Sequence, residues 1–337
     1  METKILKATE DAIEKAAVII NNGGVVGLPT ETVYGLGADA LNASAVEKIF
    51  EAKGRPKDNP MIVHISSIEE VESLVKIFPE KAKLLAEKYW PGPLTIIMPK
   101  SDKVPMRTSG GLDTVAIRMP SHPVMREVIK KSGCPIAAPS ANLSGSPSPT
   151  NAKYVFDDMN GRIELIIDGG ECEVGLESTV ITLAGEKPKL LRPGGITPEQ
   201  LEEALGEIEI DVAVKSKLEE NAEVSSPGMK YKHYAPKIKV IILKGSKEKY
   251  AEYISLHKEN AAALCFEDEK EKITVPCVTY GRSDDSSSQA KRLFDALREL
   301  DETGAEVAFA HCPSDEGVGL AVYNRLLRSA GFDVIEL

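Results

Sequence analysis

Two stretches in which strand-length apolar runs alternate with helix-length amphipathic segments constrain this fold more than any other feature. An irregular interval from about Gly206 to Pro236 separates them. In the second stretch, apolar runs at 238–243, 261–265, 273–278, 307–310 and 334–335 read as strands, and 246–257, 287–301 and 318–329 read as helices. Such alternation predicts a small, Rossmann-like three-layer α/β domain with a largely parallel sheet, because each parallel connection needs a crossover. Gly317-Val318-Gly319 lacks the third glycine of a dinucleotide fingerprint.

The first stretch reads differently. Thr9 to Asn21 is an amphipathic helix followed by a short buried strand at 25–28. Ser44-Ala45-Val46-Glu47 has the pattern of a capping box and opens a helix ending near Lys53, with Gly54 suited to the left-handed position after it. Strands are expected at 61–65, 94–98, 115–119, 135–138, 163–167 and 179–183, with helices at 68–77 and 80–89. Ser67 to Glu70 forms a second capping-box pattern, and Thr197-Pro198-Glu199-Gln200 opens a short helix to Leu205. Several of these strands are joined without room for a crossover helix, so the sheet should be twisted and mixed, with helices packed on it. The expected domains are 1–207 and 237–337, with 208–236 as a linker.

Composition narrows the function. The chain has 337 residues and a net charge of −11, and both domains are acidic. This weighs against a protein whose main task is gripping nucleic acid and disfavours direct tRNA binding. No apolar run approaches the roughly 20 residues of a membrane span. The charged N-terminus METKILKATED lacks a signal-peptide core, which predicts a cytosolic protein. Five scattered cysteines without a C-x-x-C argue against a disulfide framework or a zinc site.

Candidate chemistry concentrates in a few places. Lys53-Gly54-Arg55 sets two permanent donors for phosphate oxygens at a helix end, leading into a loop stiffened by Pro56 and Pro60. Ser140 and Asn142, just past an apolar strand, add short neutral donors and acceptors. Together they suggest a nucleoside-triphosphate site built without a P-loop, since no G-x-x-x-x-G-K-[ST] occurs. Arg118, inside the apolar run 115–119, needs an anion; an internal salt bridge and a substrate carboxylate both satisfy that need. His64 alternates away from Val63 and Ile65. Thr30, Thr32 and Tyr34 cluster beside Gly35 and Gly37, as turn caps or as a small polar pocket. No G-x-S-x-G or H-E-x-x-H appears. Mg2+ is expected as a cofactor, travelling with the nucleotide phosphates.

The K-x-R and S-x-N pairs, with Pro29-Thr30-Glu31-Thr32-Val33-Tyr34-Gly35-Leu36 upstream, resemble the threonylcarbamoyl-AMP synthases that contain a YrdC-like domain. The likeness runs from about Ala12 to Gly195 and resumes at Ser226 to Pro236, which looks like the linker of the two-domain form. The resemblance implies a nucleotidyltransferase that joins L-threonine, bicarbonate and ATP into threonylcarbamoyl-AMP and pyrophosphate. Its product would feed downstream machinery that modifies an adenosine of tRNA. It further implies threonine contacts from Thr32, His64, Arg118, Ala138 and Ser178. ATP contacts are implied for Lys53, Arg55, Asn59, Thr114, Ser140, Asn142, Ser148 and Arg192, with Lys53 and Arg55 offsetting phosphate charge. Lys230-Tyr231-Lys232-His233-Tyr234 is a basic and aromatic island in an acidic chain, expected as a lid whose Tyr231 and Tyr234 cover the nucleotide. The rival readings are an RNA-binding module using the same concave face and a carbamoyl transferase of the hydrogenase-maturation type.

Overall fold

The computed structural model describes residues 1–216 and 234–337. The first part holds an eleven-stranded sheet built from β1 (Lys4–Lys7), β2 (Val26–Leu28), β3 (Gly35–Asp39), β4 (Ile62–His64), β5 (Leu94–Pro99), β6 (Thr114–Arg118), β7 (Ile136–Ala137), β8 (Leu165–Asp168), β9 (Thr179–Thr182), β10 (Lys189–Arg192) and β11 (Glu209–Ile210). The spatial order is β1-β8-β2-β3-β7-β4-β6-β5-β9-β10-β11. The sheet is mixed as expected: β4 runs parallel to β6, while β2–β3, β3–β7, β4–β7, β5–β6 and β9–β10 are antiparallel.

The second part holds a five-stranded sheet of β12 (Lys239–Lys244), β13 (Ala261–Cys265), β14 (Cys277–Thr279), β15 (Val307–His311) and β16 (Val334–Glu336), in the order β14-β13-β15-β12-β16. Every pairing in it is parallel. No helix among the described residues is long and apolar enough to cross a membrane.

Helix ends follow local chemistry. The helix Ala43–Lys53 is capped by Asn42, whose side chain accepts from the Ser44 and Ala45 amides, so it starts before the expected Ser44 capping box. Gly54 takes the left-handed position after it, with φ 62. Glu70 accepts the Ser67 amide at 2.9 Å, yet the helix expected over 68–77 stops at Leu74. Val75 turns extended and bridges to Lys100, which draws the chain into a strand-like path. The strand expected over 273–278 shrinks to Cys277–Thr279, because Pro276 has no amide to give the ladder.

The linker begins later than the composition shift suggests. Glu209–Ile210 pairs with β10, and the turn Val212–Val214 buries Ala213 and Val214. Ala213 joins Ile62, Ile97, Ala116, Val180 and Leu191 in one apolar cluster on the sheet. Residues 209–214 therefore pack as part of the first unit. Lys230, Tyr231 and Lys232 of the expected lid lie outside the described residues.

The two parts are joined by packing as well as by chain. Val33 and Leu176 of the first insert into the apolar cluster of the second, beside Tyr234, Phe294 and Leu297. Gly175 has φ +80, and a Cβ there would stand 2.4 Å from the Lys291 Cα, so the chain touches the helix Ser286–Glu299 backbone to backbone. Arg298 of that helix binds Asp158 at 2.8 Å, and Asp295 accepts from the Thr150 hydroxyl.

Candidate active site

A cavity lies over one face of the central strands, bounded by the 29–34 hairpin loop, the 138–145 loop and the ends of β9 and β10. Strand alternation decides which side chains reach it. Ile62 and His64 share a face of β4 and line the cavity, while Val63 and Ile65 face the core. His64 pairs in register with Arg118 on β6, so the imidazole and the guanidinium emerge side by side.

Arg118 is 3 % exposed and engages three internal partners. Its Nε donates to the Gly92 carbonyl at 3.2 Å, its Nη1 donates to Thr32 Oγ1 at 2.8 Å, and its Nη2 stands 2.7 Å from Glu31 Oε1. The internal salt bridge is thus present, and the guanidinium still borders the cavity. Burial would raise the Glu31 carboxyl, but the Arg118 charge and hydrogen bond outweigh it and hold it below its ordinary range. Thr30 Oγ1 donates to the Val33 carbonyl at 2.6 Å and accepts the Thr32 amide at 3.1 Å, which tightens the hairpin loop and fixes the Thr32 hydroxyl. Burial, and then the Arg118 charge, push His64 down to about 3, so the ring is neutral at pH 7. Its Nδ1 lies 3.1 Å from the Ile62 carbonyl, a contact that suits a proton on that nitrogen.

At the other end, Lys53 is not the surface-displayed cation that a helix terminus suggests. It is 3 % exposed, and its Nζ donates to the carbonyls of Ser140 and, at 2.6 Å, Asn142. Burial, with Arg55 nearby, drives its pKa well below the ordinary lysine value. Through these two hydrogen bonds its Nζ ties down the 140–142 loop while bordering the cavity. Asn142 uses its amide to donate to the Leu143 and Ser146 carbonyls, both at 2.8 Å, closing the next turn. Arg55 Nη2 donates to the Pro60 carbonyl at 3.2 Å.

The third wall contains Ser178 and Arg192. Arg192 Nε donates to the Ser178 carbonyl at 3.0 Å and its Nη2 reaches Ser178 Oγ at 3.2 Å. Gly194 permits this approach: a Cβ there would lie 2.3 Å from the Thr179 amide nitrogen. Tyr234 is 5 % exposed, lines the cavity and packs on Phe294 with ring centroids 5.1 Å apart. It holds φ 63, a left-handed conformation rare for a tyrosine.

The cavity thus unites Thr32, His64, Arg118, Ala138 and Ser178 with Lys53, Arg55, Ser140, Asn142, Arg192 and Tyr234. Other expected residues lie elsewhere. Ser148 is buried and donates to Glu177 Oε1 at 2.5 Å instead of lining the cavity. Asn59 is buried in the loop before β4, also off the lining. Thr114 lines a separate cavity with Asp113, Thr182 and Lys189. It shares a face of β6 with Arg118, but four residues of strand span about 13 Å, and Ala116 with its apolar cluster fills the space between. Tyr231 lies outside the described residues.

Sequence reading missed Glu31 as the partner of Arg118, Glu177 as a cavity carboxylate and Arg325 as the partner of Glu177. Arg325 carries the same signal as Arg118, a guanidinium within an apolar run, Val322-Tyr323-Asn324-Arg325-Leu326-Leu327. Among the described residues, no group of three or more His, Cys, Asp or Glu side chains is placed to hold a metal ion.

Residues 18–194 match the family model described as "Telomere recombination", and residues 196–331 match "Threonylcarbamoyl-AMP synthase, C-terminal domain". The chain is 48% identical to the threonylcarbamoyl-AMP synthase of Pyrococcus abyssi, covering 96% of each chain. It is 47% identical to that of Bacillus subtilis, covering 99% of this chain and 97% of the relative. It superposes on the crystal structure of P. abyssi Sua5 complexed with L-threonine with a TM-score of 0.93 at 46% identity, over 99% of this chain and 100% of that one. With both domain models matched in order and both relatives aligned nearly end to end, the chain belongs to the threonylcarbamoyl-AMP synthases, enzymes of the nucleotidyltransferase type.

Proposed function

We propose that this cavity joins L-threonine, bicarbonate and ATP into threonylcarbamoyl-AMP and pyrophosphate. The carrying observation is the placement, in one cavity, of a guanidinium–hydroxyl–imidazole cluster (Arg118, Thr32, His64) and a cationic cluster (Lys53, Arg55, Arg192). The first has the chemistry for an amino acid bearing a carboxylate and a hydroxyl, the second for a triphosphate. Threonine places its carboxylate at Arg118 and its side chain against Thr32, Ala138 and the neutral His64, with Ser178 bordering the two halves. The threonine amine, as its free base, adds to CO2 drawn from bicarbonate and loses a proton, giving a carbamate. A carbamate oxygen attacks the α-phosphorus in line, and the α–β bridging oxygen leaves with pyrophosphate.

No protein nucleophile is required. The work of the protein is placement and charge neutralisation. Arg55, Lys53 and Arg192 face the phosphates, while Ser140, Asn142 and Tyr234 border the nucleotide. Glu177, the carboxylate on the cavity wall, is occupied by Ser148 and Arg325. Mg2+ therefore fits as an ion held by phosphate oxygens and water rather than by a protein carboxylate cage, and it would add charge neutralisation at the leaving pyrophosphate. The product then passes to a transfer machinery acting on tRNA. Pyrophosphate release measured with each substrate omitted in turn tests the reading. Release should require all three, and release undiminished without threonine or without bicarbonate would refute it.

A further inference from the structure

Arg325 sits on the helix Gly317–Ser329 of the second domain, yet its guanidinium ends against the wall of the first domain's cavity. It is 0% exposed. Its Nε donates to Glu177 Oε2 at 2.9 Å, its Nη1 to the Pro193 carbonyl at 2.7 Å and to Asn324 Oδ1 at 3.1 Å, and its Nη2 to the Glu177 carbonyl at 3.2 Å. Glu177 directly precedes Ser178, and Pro193 directly follows Arg192. One side chain thus clamps together the start of β9 and the end of β10, the two segments that present Ser178 and Arg192.

Charge makes the arrangement more than a clamp. Two guanidiniums, Arg192 and Arg325, are buried in this wall with the Glu177 carboxylate; Arg325 ion-pairs with it, while Arg192 bonds to Ser178 and acts on Glu177 as a nearby positive charge. Without Arg325, Glu177 would keep its charge only by turning its attraction on Arg192, because a buried carboxylate without a counter-ion is strongly disfavoured.

We propose that Arg325 is a positioning residue for the nucleotide end of the site. By binding Glu177 from the second domain, it leaves the wall with a net positive charge that acts on the triphosphate through Arg192. The inference rests on the reading of Arg192 as an ATP contact. It makes the second domain a working part of the active site.

The test uses the full chain and steady-state pyrophosphate release, with ATP and threonine varied separately. Arg325→Met should raise the ATP KM on the order of tenfold or more, while the threonine KM stays within about twofold. The double variant Arg325→Met with Glu177→Gln removes both charges and should recover about threefold or more of the lost ATP affinity. Equal rises in both KM values, or a double variant no better than Arg325→Met, would overturn the proposal. If circular dichroism shows that Arg325→Met fails to fold, Arg325→Lys decides. It keeps the charge and loses the fork, so its ATP KM should rise less than about threefold; a rise matching that of Arg192→Gln overturns the charge account. Arg192→Gln also separates the two readings. If it spares the ATP KM, the ATP assignment fails and the inference falls with it. If it raises the ATP KM and Arg325→Met does not, the inference alone falls.

Discussion

Replacing Arg118 by Lys keeps one positive charge in the cavity and removes the planar fork. The guanidinium serves Glu31, Thr32 and the Gly92 carbonyl from three different nitrogens. A single ammonium cannot reach all three in those directions and also meet a substrate carboxylate. Hydrogen bonds to charged groups contribute about 1.5–3 kcal/mol each. Losing one or two of the internal ones should destabilise the fold by about 1.5–6 kcal/mol, which lowers Tm by several degrees in a chain of this size. Losing bidentate recognition of the carboxylate should cost binding about 1.5–3 kcal/mol, a rise in threonine KM of about ten- to a hundredfold. The ATP KM should change by less than about twofold, because the cationic cluster at Lys53, Arg55 and Arg192 is untouched. Pyrophosphate release at saturating ATP and bicarbonate with threonine varied, then the reverse, separates these effects, and a thermal melt reports the fold. A variant that melts early with an unchanged threonine KM would show that Arg118 serves the Glu31 salt bridge alone.

His64 is buried neutral with its pKa depressed to about 3, so between pH 6.5 and that value the unfolded chain binds the extra proton; stability should fall on acidification by about 1.4 kcal/mol per pH unit from this group. Urea titrations at pH 7 and pH 5 should show a smaller loss for His64→Gln, and identical losses would refute the assignment. Glu31, depressed below its ordinary value, keeps its stabilisation above about pH 4.5 and loses it as pH falls through its folded pKa. Glu31→Gln should therefore flatten the acid limb below that point in the same titrations. Gly175→Ala puts a methyl into the backbone of the helix Ser286–Glu299 at a positive φ, and should lower stability by about 1–3 kcal/mol or more; an unchanged melt would refute the backbone-to-backbone seating. Serine lacks one methyl, worth roughly 1–3 kcal/mol, so its kcat/KM should fall about ten- to a hundredfold below that of threonine, and equality would contradict the substrate reading.

Periodicity in the sequence marked the five strands of the second sheet and seven of the eleven in the first, since strand and helix periods are local properties of the chain. The other four, β1, β3, β10 and β11, are too short or too poor in apolar residues to show a period and are fixed by pairing with other strands. The same reading separated the mixed sheet from the parallel one because connection length limits which strands can be joined. Gly54 after Lys53 and the Thr197–Gln200 capping box were legible for the same reason: each is decided within a few residues. Arg118 could be singled out because a guanidinium in an apolar run must find an anion somewhere. Which anion was not legible. Glu31 reaches it through the 29–34 hairpin loop, a contact across 87 positions of chain that no local pattern encodes. Lys53 shows the same limit: a helix terminus suggests a solvated cation, but folding of the 140–142 loop buries it against two carbonyls. Thr114, expected as an ATP contact from the family resemblance, lines another cavity in this structure, because strand rise carries it away from Arg118. The second domain's share in the site was decided wholly by tertiary structure. Arg325 is separated from Glu177 by 148 residues, and only domain docking sets a buried charge from one against a buried charge in the other. Sequence determined which residue types were available and which elements would carry them. Long-range packing decided which charges meet, because electrostatic partners are chosen by distance in space after burial has removed water as the alternative.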